Sequence, residues 1–271
     1  MNNNLAILVI SCDKYFDVID PFFDLFYKFW NDCPYKIYLG TNNYSYNHKQ
    51  INIQNINIGD DLSWCDNLRK MIDIIDESYI LLFLDDYFLC RPVETSIIEN
   101  MIKISISKDV SCFKFTPTVK SKIKYVSIKD VFVIDSSHDY CINAAISIWN
   151  KNVLKKLLKP GYSAWDFEVL NSKKCKSEGK LPGLFLQTKK TYFFIKNGVI
   201  KGKWFRESVY FCKKHGIFID TRKREIMSLK ETVYEYIKIY LYRFLPKSIH
   251  KVCKKALIKI GFRKLFVNPY T

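Results

Sequence analysis

Glycine and proline are scarce, 9 and 8 among 271 residues, which excludes collagen-like repeats and wholly disordered low-complexity chains. Long apolar stretches are missing too. Nothing approaches the ~18 residues a membrane-spanning helix needs. The most apolar run, Leu5–Ile10, is shorter than a signal-peptide core, and the Met1-Asn2-Asn3-Asn4 before it has no basic side chain. No GxSxG, HExxH, P-loop or GxGxxG occurs, so the sequence signatures of those hydrolase, metalloprotease and nucleotide-binding classes are absent. The 9 cysteines include no CxxC pair, and an odd number cannot all pair internally; a reducing cytosol is the expected compartment. What is present is a globular composition, 48% hydrophobic and 26% charged, with length enough to bury an ordinary core.

Acidic residues are in short supply at one end. From Lys201 onward 18 Lys+Arg face 5 Asp+Glu, a balance of +13, so the preceding 200 residues hold only +3 of the total +16. A nearly neutral body with a strongly basic C-terminal segment predicts an enzyme with an appendage facing a polyanion or a membrane. The expected division is a domain over 1–228 and a basic helical tail over 229–271.

Leu5–Ile10 reads as a buried parallel strand that opens into the polar turn Ser11-Cys12-Asp13-Lys14. Asp20-Pro21 reads as a cap and first-turn proline, followed by Phe22, Leu25, Phe26, Phe29 and Trp30 on one helical face. Residues 35–39 and the series Ile51, Ile53, Ile56, Ile58 read as strands, the latter ending at Gly59-Asp60-Asp61. Ser63 caps a helix bearing Leu68, Met71, Ile72 and Ile75, and Tyr79–Leu84 is again a buried-type strand. Thr95 reads as a further cap; strands are expected over 110–115, 131–134 and 144–149, a short helix over 151–158, a turn at Pro160-Gly161 and a helix capped by Ser163. The alternation predicts an α/β fold with a Rossmann-type, mostly parallel sheet covered by helices, which binds ligands at the carboxyl ends of its strands. Ser11, Asp60 and Asp85 stand at such ends.

The most informative segment is Tyr79-Ile80-Leu81-Leu82-Phe83-Leu84-Asp85-Asp86-Tyr87-Phe88, where a buried strand delivers adjacent carboxylates to one sheet edge. A hard divalent cation bridging phosphate oxygens would neutralise them; a solvated strand end is the plainer alternative. An apolar first strand with an Asp just past its end, then alternating elements, then a strand closing in Asp-Asp resembles the GT-A nucleotide-sugar glycosyltransferases of the bacterial surface-polysaccharide type. The resemblance is architectural and spans residues 5–205. It implies that Ser11 and Asp13 hold base and ribose, and that Asp85 and Asp86 take the part of the DxD motif, Asp85 at the ribose and both at Mn²⁺ or Mg²⁺. Tyr87 stands where that motif has its second Asp. By position Asp60 and Asn67 also reach the nucleotide, with Trp64 either beside it or simply packing near the helix start.

In inverting members of that family a carboxylate opening a helix beneath the acceptor removes its proton. Asp166, and after it Glu168, in Ser163-Ala164-Trp165-Asp166-Phe167-Glu168 are the candidates by that resemblance. Ser163 with Asp166 also satisfies a capping pattern that needs no chemistry. Lys203 and Arg206, flanking Gly202 on a flexible turn, are candidates to contact the departing diphosphate, or are merely the start of the basic segment. His138 and His215 are weaker metal-ligand candidates.

Helical spacing links Leu229, Val233, Ile237, Tyr240, Leu241 and Phe244 up to Pro246. Beyond it Ile249, Val252, Cys253, Ala256, Leu257 and Ile260 face away from Lys251, Lys254, Lys255 and Lys259, a basic amphipathic pattern suited to an anionic membrane surface or to a docked helix. The aromatics do not alternate with the basic residues, so a nucleic-acid partner is not expected. The resemblance implies a metal-dependent hexosyltransferase of capsule or lipopolysaccharide biosynthesis. It would act at the inner membrane face, moving sugar from a nucleotide-sugar donor, a UDP-sugar, to a lipid-linked or cell-surface glycan. The alternatives are a sugar-phosphate nucleotidyltransferase and a noncatalytic membrane or nucleic-acid binding module.

Overall fold

The computed structural model describes residues 4–244, and the chain divides into two compact units, 1–196 and 197–271. The expected tail boundary before Leu229 falls inside the second of these units.

In chain order the first unit holds β1 (Leu5–Ile10), α1 (Phe16–Phe29), β2 (Lys36–Thr41), β3 (Ile53–Asn57), α2 (Trp64–Ile74), β4 (Tyr79–Leu84) and β5 (Tyr87–Leu89). There follow α3 (Thr95–Ser107), β6 (Val110–Lys114), β7 (Val131–Val133), β8 (Ser147–Asn150), α4 (Lys151–Leu157), α5 (Ala164–Glu178), β9 (Leu184–Thr188) and β10 (Ile195–Asn197). The main sheet has 8 strands in the order β3-β2-β1-β4-β8-β6-β9-β7. Neighbours β3, β2, β1 and β4 are parallel, β8 is antiparallel to both β4 and β6, and β7 is antiparallel to β9. The fold is therefore mixed α/β with a mostly parallel central sheet, as expected.

Strand β1 is buried along its whole length because β2 and β4 flank it and helices cover the sheet. α1 lays Val18, Ile19, Phe22, Phe23, Leu25 and Phe26 into the core. It begins at Phe16, after a 3-10 turn over Asp13–Tyr15, so Pro21 lies inside the helix and not in its first turn. Burying that aromatic face outweighs the missing N–H. Thr95 is likewise the first residue of α3, with Glu94 as N-cap; its hydroxyl donates to Asp32 at 2.8 Å and accepts from the Trp30 indole at 2.9 Å. Gly40 of β2 is buried beneath α2: a Cβ there would fall inside the Met71 side chain. Strand β9 is an addition to the elements expected from sequence.

The second unit, among its described residues, holds β11 (Val199–Ile200), β12 (Lys203–Trp204), α6 (Arg206–Lys214) and α7 (Leu229–Phe244). Lys201 (φ 51°) and Gly202 (φ 74°) form the two-residue turn between β11 and β12, so Gly202 serves a tight hairpin where the sequence suggests a flexible loop. At its start α7 turns part of the stripe its spacing suggests toward solvent. Leu229 is 69% and Val233 52% exposed, while Thr232 and Glu235 are buried. Charge pairing sets this orientation: Lys201 Nζ lies 2.5 Å from Glu235, and Lys203 Nζ 3.1 Å from Glu231. The amphipathic pattern read in residues 249–260 lies outside the described residues.

Candidate active site

The register of the sheet determines what meets at its edge. β1 and β4 pair as far as Ile10 with Leu84, so Ser11 and Asp85 emerge side by side, and Ser11 Oγ donates to Asp85 Oδ2 at 2.5 Å in a buried contact. The chain passes outward from β1 through β2 to β3, then returns to β4 on the other side of β1. That reversal leaves a crevice at the carboxyl ends of β1 and β4. A cleft of about 300 Å³ opens there, walled by Ser11, Cys12 and Tyr15 after β1, by Asp85 and Asp86 after β4, and by Asp61, Trp64 and Asn67 at the start of α2.

Local bonding holds the α2 wall. Ser63 Oγ accepts from Asp66 N and caps the helix; Asp66 in turn accepts from Gly161 N at 2.9 Å, tying α2 to the turn before α5. Asn67 accepts from Leu62 N at 3.1 Å and donates to Asp61 Oδ1 at 2.8 Å, which turns that carboxylate toward the cleft. The exposed Lys14 ammonium stands 3.9 Å from Asp61, a separation at which a solvated pair contributes little. The walls therefore carry Asp61, Asp85 and Asp86, an arrangement that favours a bound cation.

Of the residues singled out by sequence, Ser11, Asn67, Asp85 and Asp86 line this cleft. Asp60 is exposed outside its lining, and the next residue, Asp61, occupies the wall. Asp13 is engaged elsewhere, where its carboxylate accepts from the backbone N–H groups of Asn42, Asn43 and Tyr44 and from the Asn43 amide. Partial burial works against its ionisation, but these bonds win and hold its carboxyl below the usual range. Asp61, Cys12 and Tyr15 join the wall without having been singled out by sequence. The bond from the Asn67 amide holds Asp61 at the wall, a pairing that sequence alone does not encode.

The two acids of α5 differ in kind. Asp166 closes a capping box, its Oδ2 accepting from Ser163 N at 3.1 Å and Ser163 Oγ at 2.6 Å, and these bonds hold its carboxyl below the usual range. Glu168, two residues on, is partly buried; its Oε1 accepts from Ala144 N at 2.8 Å. Burial raises its carboxyl, against the Ala144 N–H and the Lys114 ammonium. Burial raises the hydroxyl of Tyr87, directly after Asp86, and the charges of Asp86 and Glu168 add to this; neither Asp166 nor Glu168 is among the residues that line the cleft. Lys114 is itself fully buried and donates to Cys141 O at 2.9 Å.

Lys203 and Arg206 belong to the second unit. Lys203 is paired with Glu231 and Glu225, and the Arg206 guanidinium donates twice to Met227 O. His138 faces Asp135 at 3.4 Å, and His215 ends α6 with its ring against Phe211. Among the described residues, no group of three or more His, Cys, Asp or Glu side chains forms a protein-only metal cage. The hard oxygen donors Asp85 and Asp86 fit a different kind of site, in which one or two carboxylates are completed by ligand oxygens and water, as Mg²⁺ prefers.

No family model matches the chain, and no curated protein matches it. Among solved structures it is similar to S. aureus TarS 1-349 in complex with UDP-GlcNAc, at 8% identity over 97% of this chain and 81% of that one, with a TM-score of 0.48. It is similar to HddC from Yersinia pseudotuberculosis at 14% identity over 78% and 99% of the two chains, TM-score 0.48. A cytidylyltransferase from Leptospira borgpetersenii serovar Hardjo-bovis matches at 12% identity over 93% and 94%, TM-score 0.42. Similarity at this level carries no role from those proteins to this chain.

Proposed function

We propose that this chain is a nucleotide-sugar-dependent glycosyltransferase whose donor occupies the cleft between the ends of β1 and β4. The observation that supports the reading is the coincidence, at one topological switch point, of a cleft of ligand size with Ser11, Asn67, Asp85 and Asp86 on its walls. Trp64 offers a half-buried ring to the base or ribose, and Ser11 with Asp85 offers an acceptor-rich edge to ribose hydroxyls.

A nucleoside diphosphate is an anion, and the cleft walls bear Asp61, Asp85 and Asp86. Like charges are brought together only with a counter-charge between them. Asp86, with Asp85 beside it, would hold a divalent cation shared with the diphosphate, and that cation would supply charge neutralisation at the leaving group. Glu168 takes the role of general base toward the acceptor hydroxyl. Its burial makes it more basic than a solvated carboxylate, whereas the capping bonds of Asp166 make that group less basic. Lys203 and Arg206, which the sequence suggests for the diphosphate, are occupied by partners within the second unit and take no part in this reading. The basic segment after residue 245 is the proposed contact to an anionic membrane carrying the acceptor.

Thermal denaturation in the presence of UDP-, GDP-, CMP- and dTDP-sugars, with and without Mn²⁺ or Mg²⁺, tests the reading, since a ligand that binds only the native state raises Tm. A cation-dependent rise with one donor is expected. A rise with a nucleoside triphosphate and none with any nucleotide sugar would overturn it in favour of nucleotidyl transfer.

A further inference from the structure

The loop of residues 139–144 is fastened to α5 at several points. Ser172 Oγ bonds both Ile142 N and Ile142 O, Glu168 accepts from Ala144 N, and Lys176 pairs with Asp139 at 3.2 Å. These contacts hold Tyr140 in the left-handed backbone region at φ 59°, its carbonyl accepting from the Asn143 amide at 3.0 Å. That conformation costs a non-glycine residue free energy and persists where surrounding structure imposes it, often at binding sites. Its consequence here is to stand the Tyr140 ring against Trp165, with centroids 5.8 Å apart.

Both rings remain open to solvent, Trp165 at 56% and Tyr140 at 40%, although Trp30, Trp149 and Trp204 are fully buried. Below them a groove of about 270 Å³ between the loop and α5 is walled by Tyr140 and Val169 and rimmed by Asp139, Lys173 and Lys176. Aromatic faces beside charged hydrogen-bonding groups suit a ring with an apolar face and a hydroxylated edge, which is the chemistry of a pyranose. The position matters as well. Asp66 ties the start of α2 to the turn before α5, so the first turn of α5, with Trp165, lies at the same sheet edge as the cleft. Glu168 follows Trp165 by three residues on α5 and holds Ala144 of the Tyr140 loop.

We propose that Trp165 and Tyr140, beside Glu168 on α5 and the loop it holds, form the stacking surface for a sugar ring of the acceptor. This rests on reading the cleft as the donor site of a glycosyltransferase, and it specifies that the acceptor is itself a glycan. The acceptor ring stacks on the more exposed Trp165, with the Tyr140 ring, tilted 59° to it, closing one edge. Trp165 and Tyr140 are positioning residues that touch the acceptor and leave the donor alone.

The test uses the full chain and the variants Trp165→Ala and Trp165→Phe, with maltotetraose, cellotetraose, chitotetraose and mannotetraose as probes, titrated calorimetrically. The intact protein should bind at least one of them, Trp165→Ala should weaken that binding about tenfold or more, and Trp165→Phe should keep most of it. Nucleotide-sugar binding should be the same in all three. Failure of the intact protein to bind any probe, or equal binding by Trp165→Ala, overturns the stacking surface whether or not a donor binds. Trp165-dependent sugar binding without any nucleotide-sugar binding would uphold the surface while rejecting the donor reading of the cleft.

Discussion

Asp86→Asn removes a charge at the cleft and keeps the shape of the side chain. We expect donor transfer to be lost and the melting temperature nearly unchanged; a variant with full activity would remove the acidic pair from the mechanism. Glu168→Gln should lower turnover ~10²-fold or more with donor affinity retained. Because Glu168 must be ionised to act and burial raises its carboxyl, the wild-type rate should rise with pH through a value above the ordinary glutamate range, and the variant should lack that limb. Stability moves the other way. A raised folded pKa gives a contribution that is fully present below the unfolded value and lost as pH rises through the folded one, so Glu168→Gln should flatten the fall in Tm over that window. Asp166→Asn should cost less than ~1 kcal/mol, since Asn also accepts at a helix start, and should leave turnover close to wild type. Asp85 and Asp86 are legible in the sequence because a strand of uniform apolarity points straight at them. The contrast between Asp166 and Glu168 is not, because both follow Ser163 closely and only the folded helix shows which one is capped and which one faces inward.

β1 and β4 are readable to the residue, since strands buried on both faces must be apolar throughout. β9 escapes sequence reading for the converse reason. Its Gln187 and Thr188 are buried polar residues, and Gln187 bonds Thr118 N, Val119 N and Val119 O, so hydrogen bonding in the fold replaces the apolar signal in the chain. The sequence locates α7, but in its first turns ion pairs with the β11–β12 turn bury Glu235 and leave Leu229 and Val233 exposed. Helix α2 brings Trp64 and Asn67 to the cleft, and its distance from the sheet is set at Gly40 against Met71. Gly40→Ala should therefore destabilise the protein by about 1–3 kcal/mol through overpacking, measured by denaturant unfolding. Met71→Ala introduced into Gly40→Ala should recover part of that loss, as expected for residues in direct contact.

The charge asymmetry of the whole chain is visible from composition alone, whereas the division after Lys196 depends on packing that composition does not encode. Deleting residues 246–271 removes Lys247, Lys251, Lys254, Lys255, Lys259, Arg263 and Lys264. The truncated protein should leave anionic vesicles in a co-sedimentation assay and still bind its nucleotide-sugar donor. Vesicle binding of the full chain should weaken as salt rises, because the attraction is screened beyond ~8 Å at physiological ionic strength; binding that survives truncation would refute the membrane contact. The wedge of β8 between β4 and β6 bears on how the protein is made. β4 finds its second neighbour only when Ser147–Asn150 is synthesised, long after Leu84 has been added. For a gap of roughly 60 residues, synthesis at ~5–20 residues per second takes about 3–12 s. During that interval the apolar edge of β4 has no strand of its own chain to pair with, so nascent chains arrested before Ser147 should recruit chaperones or aggregate, and those arrested after β8 has left the ribosome should not.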